Sequence, residues 1–237
     1  MRVSILAGLV LVSSGVVFAQ DESEDGWSGT GQLGYVRTTG NSETESVNAQ
    51  IDLSRLSGAW TWALGLKALG AADSGDTTAE RYEFSTKLDR RINEQSYWYG
   101  AFRYDDDRFS SYEYQGSLTA GYGRNLIATE KHQLSGEIGA GYRQAKEADT
   151  GVKQDDFIGR VFVDYKWVLT ETTNFTNVLL VEGGSSNTFT ENITGLGVSI
   201  NSDLALKLGY TIRHNSSVVG GRDKTDTITG VNLVYDF

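Results

Sequence analysis

The chain has 237 residues, no cysteine, no proline, two histidines and a formal net charge of −10. Without cysteine there is no disulfide framework and no thiol chemistry, and an acidic chain lacks the clustered Lys and Arg that neutralise phosphates, so nucleic acid is excluded as a partner. Average proline usage near 5 % would give about a dozen; none here, beside 28 glycines, suits one unbroken sheet, because proline removes a ladder donor.

In chain order, residues 1–19 come first. Met1 and Arg2, an apolar run from Ile5 to Val12, and Val16-Val17-Phe18-Ala19 form an export-signal pattern with a cut after Ala19. The run is too short to cross a bilayer as a helix. Residues 20–25 are an acidic leader.

From Gly26 the chain divides into twelve alternating segments: 26–37, 43–55, 59–71, 80–92, 96–104 and 111–125, then 131–146, 155–169, 174–182, 187–200, 202–213 and 224–237. Apolar and polar residues with period two mark strands that have one face in each environment. In 111–125, Tyr112, Tyr114, Leu118, Ala120 and Tyr122 oppose Glu113, Gln115, Ser117 and Thr119. The weakest alternation is in 187–200, where Ile193 falls on the polar side.

The last segment sets Thr229, Val231, Leu233, Tyr235 and Phe237 against Asp226, Ile228, Gly230, Asn232, Val234 and Asp236. In a soluble protein such a strand would be a sticky free edge. In a closed membrane barrel it zips to the first strand, and its apolar face meets lipid.

Tight joins, such as Ser57-Gly58, Asn93-Glu94-Gln95 and Asn201, alternate with expected longer ones at 72–78, 105–110, 147–154, 183–186 and 215–223. Short turns at one rim and longer loops at the other are the bacterial barrel pattern. Trp27, Trp60, Trp62, Trp98 and Trp167 all fall toward the short-turn rim, joined there by Tyr235 and Phe237. Tyr35, Tyr82, Tyr104, Tyr112, Tyr142, Phe157 and Phe189 fall toward the other. Aromatic rings with a polar edge prefer the membrane–water interface, so these read as two girdles.

The expected fold is therefore all-β: a closed antiparallel transmembrane β-barrel of about twelve strands, residues 26–237, exported to the outer membrane of a Gram-negative envelope. Both termini lie at the short-turn, periplasmic rim. Ser28-Gly29-Thr30-Gly31-Gln32-Leu33-Gly34-Tyr35, followed by Thr38-Thr39-Gly40-Asn41-Ser42-Glu43, resembles the opening of the YdiY-like salt-induced outer-membrane proteins, domain-of-unknown-function family 481. The resemblance covers residues 26–237. It implies an outer-membrane barrel of unestablished biochemical role, and it supplies no catalytic or ligand residue.

The face opposite the lipid is expected to carry Glu83, Lys87, Asp89, Arg91, Glu113, Glu137, Arg143, Arg160, Asp164, Lys166, Glu182, Lys207, Arg213 and Asp226. Inside a barrel such charges must be hydrated or paired. They read as a structural ionic network, as a constriction selecting small solutes, or as a site holding a catalytic carboxylate pair. The Asp105-Asp106-Asp107 and Asp155-Asp156 runs are expected as solvated loop charge, without metal-ligand spacing. His132 and His214 are expected at opposite rims, too far apart to share a catalytic site.

The expectation is a non-enzymatic, stress-responsive envelope barrel with a narrow charged lumen and no cofactor or metal. A porin-like small-solute channel is the alternative, and a soluble periplasmic barrel binding an apolar ligand is a third. Expected partners are outer-membrane lipid, lipopolysaccharide and, through the C-terminal strand, the barrel-assembly machinery.

Overall fold

The structure is a computed structural model that describes residues 26–38 and 44–237. The expected export signal, the acidic leader and the Gly40-Asn41 turn lie outside the described residues. Twelve antiparallel strands follow one another around a closed barrel, each bonded to its chain neighbours, and β12 returns to β1. They are β1 Gly26–Thr38, β2 Thr44–Ser57, β3 Trp60–Asp73, β4 Asp76–Arg91, β5 Ser96–Asp107 and β6 Tyr112–Ala128. The ring continues with β7 His132–Glu147, β8 Lys153–Val168, β9 Thr173–Gly183, β10 Thr188–Ser199, β11 Leu204–Asn215 and β12 Thr225–Asp236.

Period-two patterning decides which face each residue takes. Leu66, Leu88, Phe102, Leu118, Ile138, Val161, Leu208 and Leu233 are exposed on the outer face, where a soluble protein would place polar groups. The residues between them turn inward. Trp27, Trp60, Trp62, Trp98, Trp167, Tyr235 and Phe237 are all exposed on the outer face near the ends of their strands at one rim. Several are braced from the side: Arg55 lies 5.4 Å from the Trp27 ring, and Trp62 meets Trp27 edge-on at 5.7 Å. Tyr35, Tyr82, Tyr104, Tyr142 and Phe157 are exposed outward toward the far rim.

Turn chemistry at the Trp rim matches the tight joins. Gly58 takes φ +58°, a left-handed conformation that Gly adopts without penalty. Asn201 accepts bonds from the amides of Asp203 and Leu204 at 2.9 and 2.8 Å.

The far rim departs from expectation. The segment 72–78 is no long loop, because β3 and β4 pair as far as Asp73↔Asp76 and reverse through Ser74 and Gly75, both at positive φ. β5 likewise runs through Asp107 and β8 starts at Lys153, so both acidic runs lie within strands. Of the described far-rim joins, only 216–224 stays long.

Three residues also change face. A register shift between Tyr112 and Tyr114 inverts parity at the start of β6. Tyr112 is thereby buried inside, its hydroxyl donating to the Ser217 carbonyl at 3.3 Å, rather than standing in the outer girdle. Glu113, expected inside, is instead out on the surface, paired with Lys146 at 2.5 Å. Phe189 is 1 % exposed and packs inward with Phe162, Val178, Leu180 and Ile193. Ile193, the misfit of its strand, thus belongs to an apolar cluster on the interior face of β8–β10.

Candidate functional site: the ion-paired interior

Most of the interior charges fall into three connected groups. In the first, Glu137 on β7 is the acceptor. Lys87 of β4 pairs with one of its oxygens, Arg160 of β8 with the other at 2.6 Å, and Tyr97 of β5 donates its hydroxyl at 2.8 Å. Lys87 also holds Asp89 at 3.0 Å. The two cations lie over rings, Lys87 at 5.0 Å from Tyr97 and Arg160 at 4.8 Å from Tyr99. Ring faces attract cations most where water is scarce, so the aromatics add to the carboxylates in holding these cations in the wall.

The second group spans the barrel. Glu83 of β4 takes Lys67 of β3 at 2.7 Å and Arg103 of β5 at 3.2 Å. Arg103 bonds Asp105 at 2.8 Å, and Asp105 is also paired with Arg213 of β11. β5 and β11 stand on opposite sides of the twelve-strand ring, so this pair bridges the interior from wall to wall. Arg213 further reaches Glu191 at 3.2 Å and Asp107 at 3.6 Å, and both guanidinium groups stack on Phe189 at 4.5 and 5.2 Å. Phe189 therefore serves both arginines as a cation-binding ring. A planar guanidinium stacks on a ring while its edge still bonds carboxylates, which a lysine could not do as well.

The third group closes the far end of β7–β10. Arg143 donates to the Asn187 carbonyl at 2.5 Å, to Asp156 at 3.2 Å and to the Glu182 carbonyl at 3.4 Å. Ser185 donates to Asp156 at 2.6 Å, Ser186 bonds the same carboxylate, and Ser117 donates to Glu182 at 3.1 Å. Asn187 then reaches Asn215 at 2.7 Å. Between the first two groups lies a cavity of about 70 Å³, with Lys67 and Arg103 on the β3–β5 side and Phe162, Leu180, Glu182 and Ile193 on the β8–β10 side. At roughly 10–15 Å³ per water, it holds about five waters.

Of the residues expected inside, Glu83, Lys87, Asp89, Glu137, Arg143, Arg160, Glu182, Lys207 and Arg213 are buried there. Arg91, Asp164 and Lys166 are half-buried toward the Trp rim, Arg91 donating to the Gly58 carbonyl at 3.4 Å. Asp226 lies toward the far rim, lining a small pocket with Asp105, Tyr112 and Arg213. Sequence reasoning missed Lys67, Arg103, Asp105, Glu191 and Asp156. Parity would have found Lys67 and Arg103, since each alternates with outward apolar neighbours. Asp105 and Asp156 were hidden by reading their runs as loops.

No group of three or more His, Asp or Glu residues suited to a metal occurs among the described residues. His132 stacks on Trp167 and bonds Tyr165 at the Trp rim, while His214 bonds Thr225 near the far rim.

Two solved structures show the same architecture. The NanC porin aligns with a TM-score of 0.51 and 12 % identity over 89 % of this chain and 98 % of its own. The COG4313 outer membrane channel from Pseudomonas putida F1 gives 0.51 and 11 % over 92 % and 100 %. At that identity the likeness establishes the fold. In sequence, "Uncharacterized protein YdiY" of Escherichia coli (strain K12) is 26 % identical over 210 residues, 88 % of this chain and 82 % of that protein. The family model described as "Protein of unknown function, DUF481" matches residues 31–237, and the chain belongs to that family.

Proposed function

We propose that the chain is an integral, non-enzymatic barrel of the Gram-negative outer membrane whose interior is held shut by its own ion pairs. The observation that carries this reading is the wall-to-wall bridge from Asp105 to Arg213, braced by Arg103, Glu83, Glu191 and Phe189. Beneath an apolar outer face ringed by aromatics, the bridge crosses the interior beside a cavity of about 70 Å³. Export through a cleaved signal, anchoring by lipid and lipopolysaccharide, and insertion through the C-terminal strand belong to the same proposal. So does a role in the envelope's response to salt, supported by the resemblance to the salt-induced YdiY-like family.

Fractionation tests the placement: the mature protein should sediment with outer membranes, resist carbonate extraction and show heat-modifiable gel mobility. Recovery as a detergent-free soluble monomer would reject it and favour a soluble ligand-binding barrel. Transcript levels after osmotic upshift test the salt response, and no change would remove that part.

A gated small-solute path is the second reading, favoured by the mixed polar and apolar lining of the central cavity. It requires unitary conductance in planar bilayers that changes when Arg160 or Glu137 is neutralised.

A further inference from the structure

The wall is not equally closed around its circumference. β1 and β12 pair only from Thr30↔Asp236 to Leu33↔Leu233, extended by two backbone bonds between Gly29 and Phe237 at 2.8 and 2.9 Å. On their other sides both strands stay paired toward the far rim, β1 with β2 as far as Thr38↔Thr44 and β12 with β11 as far as His214↔Thr225. Residues 34–38 and 228–232 thus face each other with no ladder between them among the described residues.

At the base of this gap a side-chain clasp replaces the ladder. Asn48 of β2 donates to Asn232 of β12 at 2.8 Å. The clasp passes over Gly34 of β1, where an added Cβ would collide with both amides. On the interior face beside it, Gly209 of β11 pairs with Gly230 of β12, so that part of the wall is bare backbone.

Unpaired N–H and C=O groups are not tolerated facing lipid, where no water replaces the missing partner. The gap therefore calls for an occupant that can hydrogen-bond. The residues flanking its base are Gly34, Tyr35, Thr229, Gly230, Val231 and Asn232, none of them charged. Tyr35 and Val231 are exposed toward the membrane side, continuous with Leu33 and Leu233.

We propose that the outer half of the β1–β12 seam is a lateral binding portal for a single-chain amphiphile with an uncharged, hydroxyl-rich head. The chain lies in the membrane along Leu33, Tyr35 and Val231. The hydroxyls take the open backbone groups and the Asn48–Asn232 clasp. The site rests on the membrane reading above, and not on whether the interior conducts.

The test uses the full mature barrel in nanodiscs, with a dansyl-labelled dodecyl maltoside as probe. Heat-modifiable mobility first establishes that each variant is a folded barrel; a chain that fails this in every form contradicts the membrane reading rather than the portal. Continuing the ladder past Leu33↔Leu233 would place Tyr35 opposite Val231, and the cysteine-free chain gives a clean background for Tyr35→Cys/Val231→Cys. Closing that pair, by oxidation or by a short bis-maleimide, should weaken probe binding at least about tenfold (about 1.4 kcal/mol) relative to its own reduced form, and reduction of the disulfide should restore it.

A Gly31→Cys/Tyr235→Cys disulfide within the existing ladder should leave binding unchanged. Asn232→Ala, which removes the clasp acceptor, should weaken it. Unchanged binding after closure, or no binding to the folded unsubstituted barrel, overturns the portal. Equal affinity for a dansyl-labelled dodecyl phosphate overturns the assignment of an uncharged head.

Discussion

The β6–β7 wall and the β1–β12 seam solve the same problem by different means. β6 and β7 pair from Tyr112↔Glu147 to Ala128↔Gln133, nearly the full length of both strands, and an added Cβ at Gly121, Gly139 or Gly141 would collide with the backbone of the paired strand. Behind them Glu137 and Arg143 tie the wall to β4, β5, β8 and the β9–β10 join. The seam instead has a short ladder, two bonds at Gly29 and an amide clasp. Each backbone bond contributes only about 1 kcal/mol net, but the bonds form cooperatively along a strand. The contrast therefore places mechanical strength at β4–β8 and compliance at the seam.

Four substitutions break or sharpen this contrast. The largest effect is expected from Glu137→Ala, which takes the shared carboxylate from both Lys87 and Arg160 in the wall. Removing one partner of a buried ion pair costs about 3–5 kcal/mol, and urea unfolding followed by loss of the heat-modifiable band should show it. An unchanged midpoint would mean that water already satisfies these cations.

At the seam, Gly29→Val should cost about 1–3 kcal/mol by overpacking, since a Cβ at Gly29 lies 2.5 Å from the Phe237 ring. A smaller loss, about 1 kcal/mol, is expected for Asn232→Ala. Hydrogen exchange should then rise at 34–38 and 228–232 while the β6–β7 amides stay protected; an equal rise in both would erase the distinction. Lys146→Ala should change stability least, within about 0.5 kcal/mol, because its partner Glu113 is on the surface.

What the sequence made legible follows from the physics of each feature. Strand number and the outward faces were readable because lipid on one side enforces period two, as in Leu204, Leu206, Leu208, Tyr210 and Ile212. The rim of tryptophans was readable for the same reason. The bulge at Tyr112 was not, because an inserted residue inverts parity without a Gly or Pro to mark it.

Pairing inside the barrel was equally hidden. The bond from Arg213 to Asp105 joins residues 108 apart, and nothing local in either strand names its partner. Ile193 spoiled the alternation of β10 because the interior is apolar there, a fact visible only once Phe162, Val178, Leu180 and Phe189 are brought alongside. The short seam ladder could not be seen either, since β12 alternates regularly through the stretch that stays unpaired.

The central claim is that ion pairs across the barrel, rather than loops, hold the interior shut. Single-channel recording in planar bilayers tests it most directly, comparing the unsubstituted barrel with Asp105→Asn/Arg213→Gln, which neutralises both ends of the bridge. The unsubstituted barrel should be electrically silent and the double variant should show discrete unitary steps. Equal, steady conductance in both would contradict the account.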